Sequence, residues 1–323
     1  MKYSIYPIKF KPILKERIWG GNKLETVLHK ETKLNKVGES WELSDVKGDA
    51  SVITNGPLEG MSLNELQTKL GPDLIGEKNF KIFQNKFPIL IKFIDAKEDL
   101  SIQLHPNDKL AADRHDSYGK TEMWYIIQAD KDSKLIVDFN QEMDKEKYLK
   151  HLHSKTLPSA LKFEKVKEGD TYFIEVGRVH AIGAGVLLAE IQQTSDITYR
   201  VYDWDRVDTK GNSRELHNDL AIDAIDFNMP DNYKVKYDKT QNRSNQMVSC
   251  PYFTTNYLEL SKPIDKINNY DSFIIYICVE GEAQIKTDSY NEFIKKGETV
   301  LLPACIKNYS IVSNSSKLLE VYV

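Results

Sequence analysis

The amino-acid sequence predicts a mainly β protein with barrels or sandwiches repeated in tandem and small helical insertions. Most of the 323 residues form short runs rich in Val, Ile, Tyr and Phe, separated by Gly, Asn, Asp and Lys. Helical periodicity is confined to a few segments, and one sequence pattern occurs in both halves of the chain. This balance favours a barrel or sandwich over a doubly wound parallel sheet.

Alternating apolar runs predict the strands. In the second half they are "YFTTNYLEL", "SFIIYICVEG", "EAQIKTD", "KKGETVLLPA", "YSIVSN" and "KLLEVYV". In the first half the clearest predicted strands are 87–95, 122–129, 170–176, 185–193 and 198–204.

Three segments have a helical pattern. Segment 62–71 begins with Ser62 and has Glu65 three residues later, which is a capping-box pattern, and it places leucines on one side. Segments 142–155 and 213–226 are the second and third predicted helices.

A polar segment without periodicity, 229–247, predicts a domain boundary, with domains at 1–230 and 231–323. Across this boundary "VKEGDTYFIEVGRVHAI" corresponds to "IKKGETVLLPACIKNYSI". The second copy has Lys307 or Asn308 near the place of His180 in the first. We therefore expect a second barrel that is a structural module without metal ligands.

Composition excludes several functional classes. The chain is 41% hydrophobic and 28% charged with a net charge of −4, which gives no general attraction to nucleic acid or anionic membranes. No apolar run approaches the length of a membrane span, and the N-terminal segment lacks a continuous hydrophobic region. Three widely spaced cysteines are typical of reduced thiols in a cytosolic protein. These features predict a cytoplasmic protein with no nucleic-acid or membrane partner.

The stretch "SIQLHPND", residues 101–108, contains the first candidate metal ligands. Side chains alternate along a strand, so Gln103 and His105 share one face. Glu122 opens a strand after a Gly-Lys turn, and His180 follows a glycine-flanked turn. Two nitrogen and two oxygen donors suit Zn²⁺, and Mn²⁺, Fe²⁺ and Co²⁺ stay possible. An ordinary hydrogen-bond network is the alternative.

The other histidines are weaker candidates. His151 and His153 are two residues apart in a predicted helix, so their side chains diverge by about 200°. His115 lies in a charged loop and His217 in a predicted polar helix, and both are expected to be exposed. His29 has no partner pattern. The sequence contains no nucleophile elbow and no nucleotide-binding glycine motif.

Several motifs in combination resemble those of the short bacterial form of type I mannose-6-phosphate isomerases, zinc enzymes of the cupin superfamily. The matching stretches are "ERIWGG" (16–21), "GESWELS" (38–44), "FPILIKFIDAKEDLSIQLHPND" (87–108), "GKTEMWYII" (119–127), "GRVHAIGAG" (177–185) and "EIQQTSDITYRVYDWDR" (190–206). The resemblance implies two cupin (jelly-roll) β-barrels in tandem, of which the first is catalytic. The chain departs from the general cupin pattern at Glu175, where that pattern has proline, and it lacks the large helical domain of long eukaryotic forms.

The resemblance also implies roles for individual residues. It places Arg200 and Lys120 at active-site positions, and Ser101 and Lys92 at positions of the substrate pocket. Trp19 is a further candidate for the pocket wall, although packing alone would explain it equally well. The positions implied to bind one Zn²⁺ per chain are Gln103, His105, Glu122 and His180.

The implied reaction interconverts mannose 6-phosphate and fructose 6-phosphate through a cis-enediol. Arg200 is expected to stabilise the developing negative charge, because arginine keeps its proton. Its alternative role is a salt bridge to Asp203 or Asp205. The base stays open among a hydroxide on the metal, Lys120 and Glu190. The phosphate is expected to contact Ser101, Lys92 or Lys120.

Two other functions stay open at this point. The chain is alternatively a cupin enzyme that acts on another phosphorylated or nucleotide sugar, or a metal oxygenase. It is alternatively a non-catalytic or regulatory cupin that binds a sugar phosphate. The expected partner is a small sugar phosphate. The expected oligomeric state is a monomer or weak homo-oligomer.

Overall fold

The computed structural model describes residues 5–207, 210–229 and 232–323, and most of the regular structure in these ranges is β. The strands are β1 (Ile13–Gly21), β2 (Val37–Leu43), β3 (Asp45–Val46), β4 (Asp49–Ala50), β5 (Ile89–Ala96), β6 (Ile102–Leu104), β7 (Glu122–Ala129), β8 (Lys134–Phe139), β9 (Leu161–Lys165), β10 (Thr171–Ile174), β11 (His180–Ile182), β12 (Val186–Gln193), β13 (Tyr199–Tyr202), β14 (Asn245–Ser249), β15 (Thr254–Leu260), β16 (Ile264–Ile267), β17 (Ile274–Lys286), β18 (Asn291–Lys295), β19 (Thr299–Leu302), β20 (Asn308–Val312) and β21 (Ser316–Tyr322).

The helices are short and lie between strands. They are α1 (Lys23–Thr26), α2 (Leu63–Leu70), α3 (Pro72–Ile75), α4 (Glu77–Phe83), α5 (Asp108–His115), α6 (Lys145–His153) and α7 (Asn218–Ala221), with 3₁₀ turns at Gly56–Leu58 and Leu157–Ala160. The predicted fold class, mainly β with tandem barrels and a small helical insertion, is confirmed.

The first barrel consists of two facing antiparallel sheets. One has the strand order β1-β2-β5-β12-β7-β10 and the other β13-β6-β11-β8-β9. Trp124 and Leu188 from the first sheet pack in one buried cluster with Leu135 and Ile182 from the second. This cluster is the interior of the barrel, and the candidate site lies beside it.

The second barrel is a curled antiparallel sheet with the order β14-β15-β21-β17-β20-β16, in which β18 and β19 also pair with β17. Leu258, Tyr276, Ile285, Ile311 and Leu318 belong to the buried cluster in its interior.

Strand β5 shows how the two barrels share a core. Ile91 and Phe93 pack in a cluster that contains Ile275 and Leu319 of the second barrel. Lys92 points the opposite way, into the cavity of the first barrel. The outer faces of one sheet from each barrel therefore form a shared apolar layer, and each barrel's own interior lies on the other side of its sheet.

Two of the three predicted helices are confirmed. In α2 the Ser62 hydroxyl accepts a hydrogen bond from the backbone N–H of Glu65 and the Glu65 carboxylate accepts one from the N–H of Ser62, which is the predicted capping box. Helix α6 lies inside the predicted segment 142–155 and begins after Asp144, whose side chain caps it.

The third predicted helix, 213–226, is wrong over most of its length. Only α7 is helical, and the residues before it follow β13 instead. Arg214 pairs with Asp203, and the N–H of His217 donates to the carbonyl oxygen of Arg200 at 2.7 Å. The backbone N–H of His217 therefore has an acceptor outside any helix, and Arg214 is held by an ion pair. These tertiary contacts override the local helical periodicity.

The segments "SFIIYICVEG" and "EAQIKTD", predicted as separate strands, form the single strand β17. Its first part pairs with β19 and β21, and its last part with β18 and β20. Gly281 lies between these parts with a φ of 72°. Glycine adopts this conformation without steric cost, so the strand bends and continues.

The sequence repeat is present in three dimensions, with a shift of register. His180 in β11 is opposite Gln103 in β6, and Tyr309 in β20 is opposite Lys266 in β16. Tyr309 is therefore the counterpart of His180. The residues predicted for this place, Lys307 and Asn308, come just before it and are exposed.

The predicted domain division falls at residues 230 and 231, which lie outside the described residues, and it stays a prediction. Contacts cross between the two parts of the chain at several points: Ile8 pairs with Leu301, and the backbone N–H of Ala304 donates to Leu74. Within the described ranges no helix has the length and apolar character needed to cross a bilayer. In the same ranges Cys250, Cys278 and Cys305 form no disulfide.

Candidate active site and metal centre

Three of the four candidate ligands, His105, Glu122 and His180, reach one point in the first barrel from both of its sheets. Gln103 in β6 is flanked by His180 in β11 and Arg200 in β13. His105 follows β6 and, as predicted, faces the same way as Gln103. The alternate residues Ile102 and Leu104 pack on the other face, in an outer apolar cluster. Glu122 begins β7 in the opposite sheet. The fold therefore brings together side chains that are distant in sequence.

Two histidines and one glutamate form the centre of this arrangement. The Nε2 atoms of His105 and His180 each lie 3.5 Å from an oxygen of Glu122, and a different oxygen in each case. One potential ligand atom from each residue lies within 4.8 Å of the others, and all three side chains are buried. Gln103 lines the cavity that opens above them.

Backbone carbonyls fix the orientation of both imidazoles. The Nδ1 of His105 lies 2.8 Å from the carbonyl oxygen of Ile197, and that of His180 lies 2.8 Å from the oxygen of Arg178. A carbonyl oxygen only accepts, so each Nδ1 carries the hydrogen and each Nε2 lone pair faces Glu122. Burial, followed by the charge of Lys120, lowers the pKa of both rings, to about 3 for His180.

Two buried atoms at this centre lack a hydrogen-bond partner within the described part of the chain. They are Oε1 of Glu122 and Nε2 of His180. Buried acceptors without donors are rare, because they lose the hydrogen bonds they would make in water. Two imidazole nitrogens and a carboxylate form a donor set that suits Zn²⁺. The residues present therefore fit a bound cation.

Lys120 lies directly beside this centre. It is only 4% exposed, and its ammonium group donates to Glu122 and lies 3.0 Å from Nε2 of His105. Burial alone would lower the pKa of Lys120, but Glu122 and Glu190 raise it. Lys120 is therefore buried at the centre and not exposed in the turn that precedes β7.

Glu190 and Lys92 form a second buried charged pair, with 3.2 Å between Nζ and Oε1. Burial opposes ionisation of Glu190, but the ammonium groups of Lys120 and Lys92 outweigh it and lower the pKa of this carboxyl. Burial and the neighbouring Glu190 raise the pKa of Glu122. The two carboxyl groups therefore differ strongly in their tendency to ionise.

A cavity of about 540 Å³ opens above these groups. All three candidates for substrate contact, Trp19, Lys92 and Ser101, line it, as does Arg200. The hydroxyl of Ser101 accepts a hydrogen bond from Nε of Arg200 at 3.2 Å.

The alternative role of Arg200, a salt bridge to Asp203 or Asp205, is wrong. Asp203 pairs with Arg206 and Arg214, and Asp205 accepts from the hydroxyl of Tyr202. Among the described residues Arg200 forms no ion pair, so its charge stays available to the cavity.

Sequence reasoning missed other residues that line the cavity. "ERIWGG" and "GESWELS" were recognised as motifs, and they contribute Arg17, Glu39 and Trp41. Glu39 accepts from Arg17 at 2.9 Å and from the indole N–H of Trp41 at 2.8 Å. Arg214 also lines the cavity. The sequence did not indicate this role, because segment 213–226 was interpreted as a helix.

The remaining histidines have other surroundings. The ring nitrogens of His151 face Thr156 and Gln141 at the surface. His115 is exposed, as predicted. His217 is half-buried, contrary to the prediction, because its Nδ1 accepts from the backbone N–H of Arg200 at 3.1 Å.

A double barrel with two histidines and a glutamate converging inside the first barrel defines a cupin protein with an internal site of the metal-binding type. The family model for "Phosphomannose isomerase type I, catalytic domain" matches residues 8–137, and that for "Mannose-6-phosphate isomerase, cupin domain" matches residues 243–323. The chain belongs to the type I mannose-6-phosphate isomerase family.

Relatives support this assignment over almost the whole chain. The sequence is 35% identical to mannose-6-phosphate isomerase ManA of Bacillus subtilis over 92% of this chain and 93% of that protein. It is 31% identical to mannose-6-phosphate isomerase of Streptococcus mutans, over 94% of each. The crystal structure of the mannose 6-phosphate isomerase from Bacillus subtilis superposes with a TM-score of 0.89 at 30% identity, covering 98% of this chain and 99% of that one.

Proposed function

We propose that the protein interconverts mannose 6-phosphate and fructose 6-phosphate with one Zn²⁺ bound by Gln103, His105, Glu122 and His180. The observation that carries the proposal is the convergence of buried, partnerless atoms of Glu122 and His180 at the base of a cavity in this family's fold. The names of the relatives in Bacillus subtilis and Streptococcus mutans supply the substrate.

The charge of the cavity is consistent with a phosphorylated substrate. Six basic and four acidic side chains line it, so the wall has an excess of positive charge that favours a phosphate dianion. The basic ones are Lys15, Arg17, Lys92, Lys120, Arg200 and Arg214, and the acidic ones are Glu39, Asp49, Glu190 and Asp196. We assign phosphate binding to Ser101 and to positive charge from Lys92, with Trp19 as a wall.

The reaction moves a proton from C2 to C1 of the sugar and a second proton from the oxygen on C2 to O1, through a cis-enediol. A Zn²⁺ ion bound at the four ligands would supply a Lewis acid for the negative charge that develops on the sugar oxygens. Arg200 contributes to the same stabilisation, because a guanidinium keeps its proton even where burial lowers its pKa, and in the described part of the chain no carboxylate pairs with it. Its hydrogen bond to Ser101 orients it.

Glu190 is the proton acceptor in this proposal. It lines the cavity, its Oε2 is fixed by the indole N–H of Trp124 at 2.9 Å, and its Oε1 lies 3.2 Å from the Lys92 ammonium. The charges of Lys120 and Lys92 keep this carboxyl ionised, so it can take the proton from C2 and return it to C1. Lys120 already donates to Glu122, and this geometry makes it a donor that stabilises negative charge.

A direct assay tests this function. Purified protein is mixed with mannose 6-phosphate, and fructose 6-phosphate is followed by NMR with and without a chelator. We expect conversion that the chelator abolishes and Zn²⁺ restores. A protein that retains tightly bound metal and gives no conversion would contradict the proposal, and it would favour a different sugar phosphate or a binding role.

A further inference from the structure

The loop that carries Lys120 is fixed by side chains on both sides of that residue. The backbone N–H of Gly119 donates to Oδ1 of Asp108 at 2.8 Å. The N–H of Thr121 donates to Oε1 of Gln193 at 2.9 Å. The backbone N–H groups of the residues before and after Lys120 are therefore held by two side chains, and the position of the Lys120 side chain depends on them.

Asp108 connects these contacts. Its Oδ1 also accepts from the amide of Gln193 at 2.9 Å, so the two residues that hold the loop bind each other. Asp108 is the first residue of α5, shortly after His105. A Cβ at Gly119 would lie 2.8 Å from the backbone nitrogen of Asp108, so only glycine permits this close approach.

The second barrel reaches this point through Tyr252, in the loop between β14 and β15. Its hydroxyl donates to Oδ2 of Asp108 at 2.7 Å, and the ring is partly buried in a groove between the barrels. Burial and the neighbouring Asp108 raise the pKa of Tyr252 to about 12, so the hydroxyl keeps its hydrogen at neutral pH. Oδ1 of Asp108 holds the loop of Lys120, and Oδ2 is held by the second barrel.

We propose that Tyr252 is a positioning residue for the isomerase reaction, acting through Asp108 and Gln193 on the loop that holds Lys120. The inference rests on the function proposed above for the first barrel. It gives the second barrel a part in turnover: among the described residues this barrel contributes no group to the cavity wall, but it fixes the carboxylate of Asp108, which holds the loop of Lys120.

Kinetics of Tyr252→Phe test the proposal, because this change removes only the hydroxyl and keeps the ring in its groove. We expect kcat to fall roughly 10-fold with KM, bound metal and Tm little changed, since small displacements of reacting groups can cost up to about 100-fold. Tyr322→Phe is the matched control, because Tyr322 lines the same groove and stacks on Tyr270. The control should keep the wild-type kcat.

Asp108 variants separate positioning from general stability. Asp108→Ala should lower kcat at least as much as Tyr252→Phe, and the double variant should be no worse than Asp108→Ala, because both changes break one chain of contacts. Asp108→Asn retains an acceptor for Gly119 and should recover most of the activity. Additive losses, or an unchanged kcat in Tyr252→Phe, would overturn the proposal.

Amide hydrogen exchange gives a readout without substrate. In the metal-loaded protein, Tyr252→Phe should accelerate exchange at Gly119 and Thr121, and exchange in strand β12 should stay as in the wild type. Unchanged exchange at these two amides would overturn the positioning role. A wild-type protein without isomerase activity would instead contradict the proposed function, and the exchange result would still test the mechanical link.

Discussion

Each barrel has a buried glutamate at the same point of the same strand arrangement, and the two glutamates differ in the hydrogen-bond donors around them. In the first barrel Glu190 of β12 lies opposite Lys92 of β5 and Trp124 of β7. In the second, Glu320 of β21 lies opposite Asn256 of β15 and Tyr276 of β17. Each glutamate is in the central strand of three, so the two sites are structural counterparts.

The difference between them is the number of donors. Glu320 accepts from Lys266, Tyr276, Ser244 and Asn256, and these contacts occupy both of its oxygens. Glu190, by contrast, pairs with Lys92 and accepts from Trp124, and two buried atoms beside it, Oε1 of Glu122 and Nε2 of His180, have no hydrogen-bond partner in the described part of the chain.

The difference in donors follows from one pair of facing residues in each barrel, on β6 and β11 in the first and on β16 and β20 in the second. Gln103 and His180 of the first barrel offer lone pairs, whereas Lys266 and Tyr309 take their places in the second. The Lys266 ammonium donates directly to Glu320 and completes a closed polar core. The first barrel also has ammonium groups, those of Lys92 and Lys120, but it leaves acceptor atoms of Glu122 and His180 without donors in the described part of the chain. One strand arrangement therefore forms a closed polar core in one barrel and a site with open acceptors in the other.

The largest effect should come from the paired positions His180 and Tyr309. We expect His180→Ala to reduce bound metal and to lower activity to background, because it removes a ligand atom. Tyr309→Phe, at the counterpart position, should keep both. Metal analysis and turnover of mannose 6-phosphate measure this, with circular dichroism to confirm the fold. Full activity in His180→Ala would remove this residue from the ligand set.

Arg200→Ala should separate metal binding from catalysis within the first barrel. Since Arg200 contributes charge without binding the metal, the variant should keep its metal and lose about 100- to 1,000-fold in kcat. Arg206→Ala is the control, because Arg206 pairs with Asp203 outside the proposed chemistry. A kcat equal to the wild type would exclude Arg200 from the mechanism.

Lys266→Met should affect stability and leave chemistry intact. It leaves the buried Glu320 charge without its ammonium partner, so the free energy of unfolding should fall by about 2–4 kcal/mol. Urea denaturation measures this, and metal content should not change. Lys266→Met combined with Glu320→Gln should recover part of the loss. A single variant as stable as the wild type would show that the ion pair contributes little.

The smallest expected effect is a pH dependence in the second barrel. Burial would raise the pKa of Glu320, but Lys266 and the hydrogen bonds from Ser244 and Asn256 lower it below its ordinary value of 4.5. Its ionised form therefore stabilises the fold above pH 4.5, and this contribution is lost as the pH falls through the lower folded-state pKa. The stability difference between wild type and Glu320→Gln should shrink in this acid range. A difference independent of pH would contradict the lowered pKa.

Much of the first barrel's site could be predicted from sequence, because it follows from a period of two. Gln103 and His105 share a face in any strand, and Glu122 and His180 stand at strand ends marked by glycine turns. The family resemblance added Arg200 and Lys120, which periodicity alone does not distinguish from surface residues.

The closed core of the second barrel could not be predicted in the same way. Glu320 looks like a polar interruption of the apolar run "KLLEVYV", and its partner Lys266 is far away in sequence. The link from Tyr252 to Asp108 spans an even longer separation. Such pairs exist only once the strand order is known. Segment 213–226 shows the converse, since its local helical pattern yields to contacts with β13.

The pairing of Ile8 with Leu301 has a consequence for how the chain is made. During synthesis the ribosome delivers residue 8 long before its partner, with a delay on the order of 15–60 s at the usual rates of elongation. The early segment must wait unpaired while the first barrel folds behind it. Contacts of such long range slow folding, and here they complete the molecule only after nearly all of it has been translated.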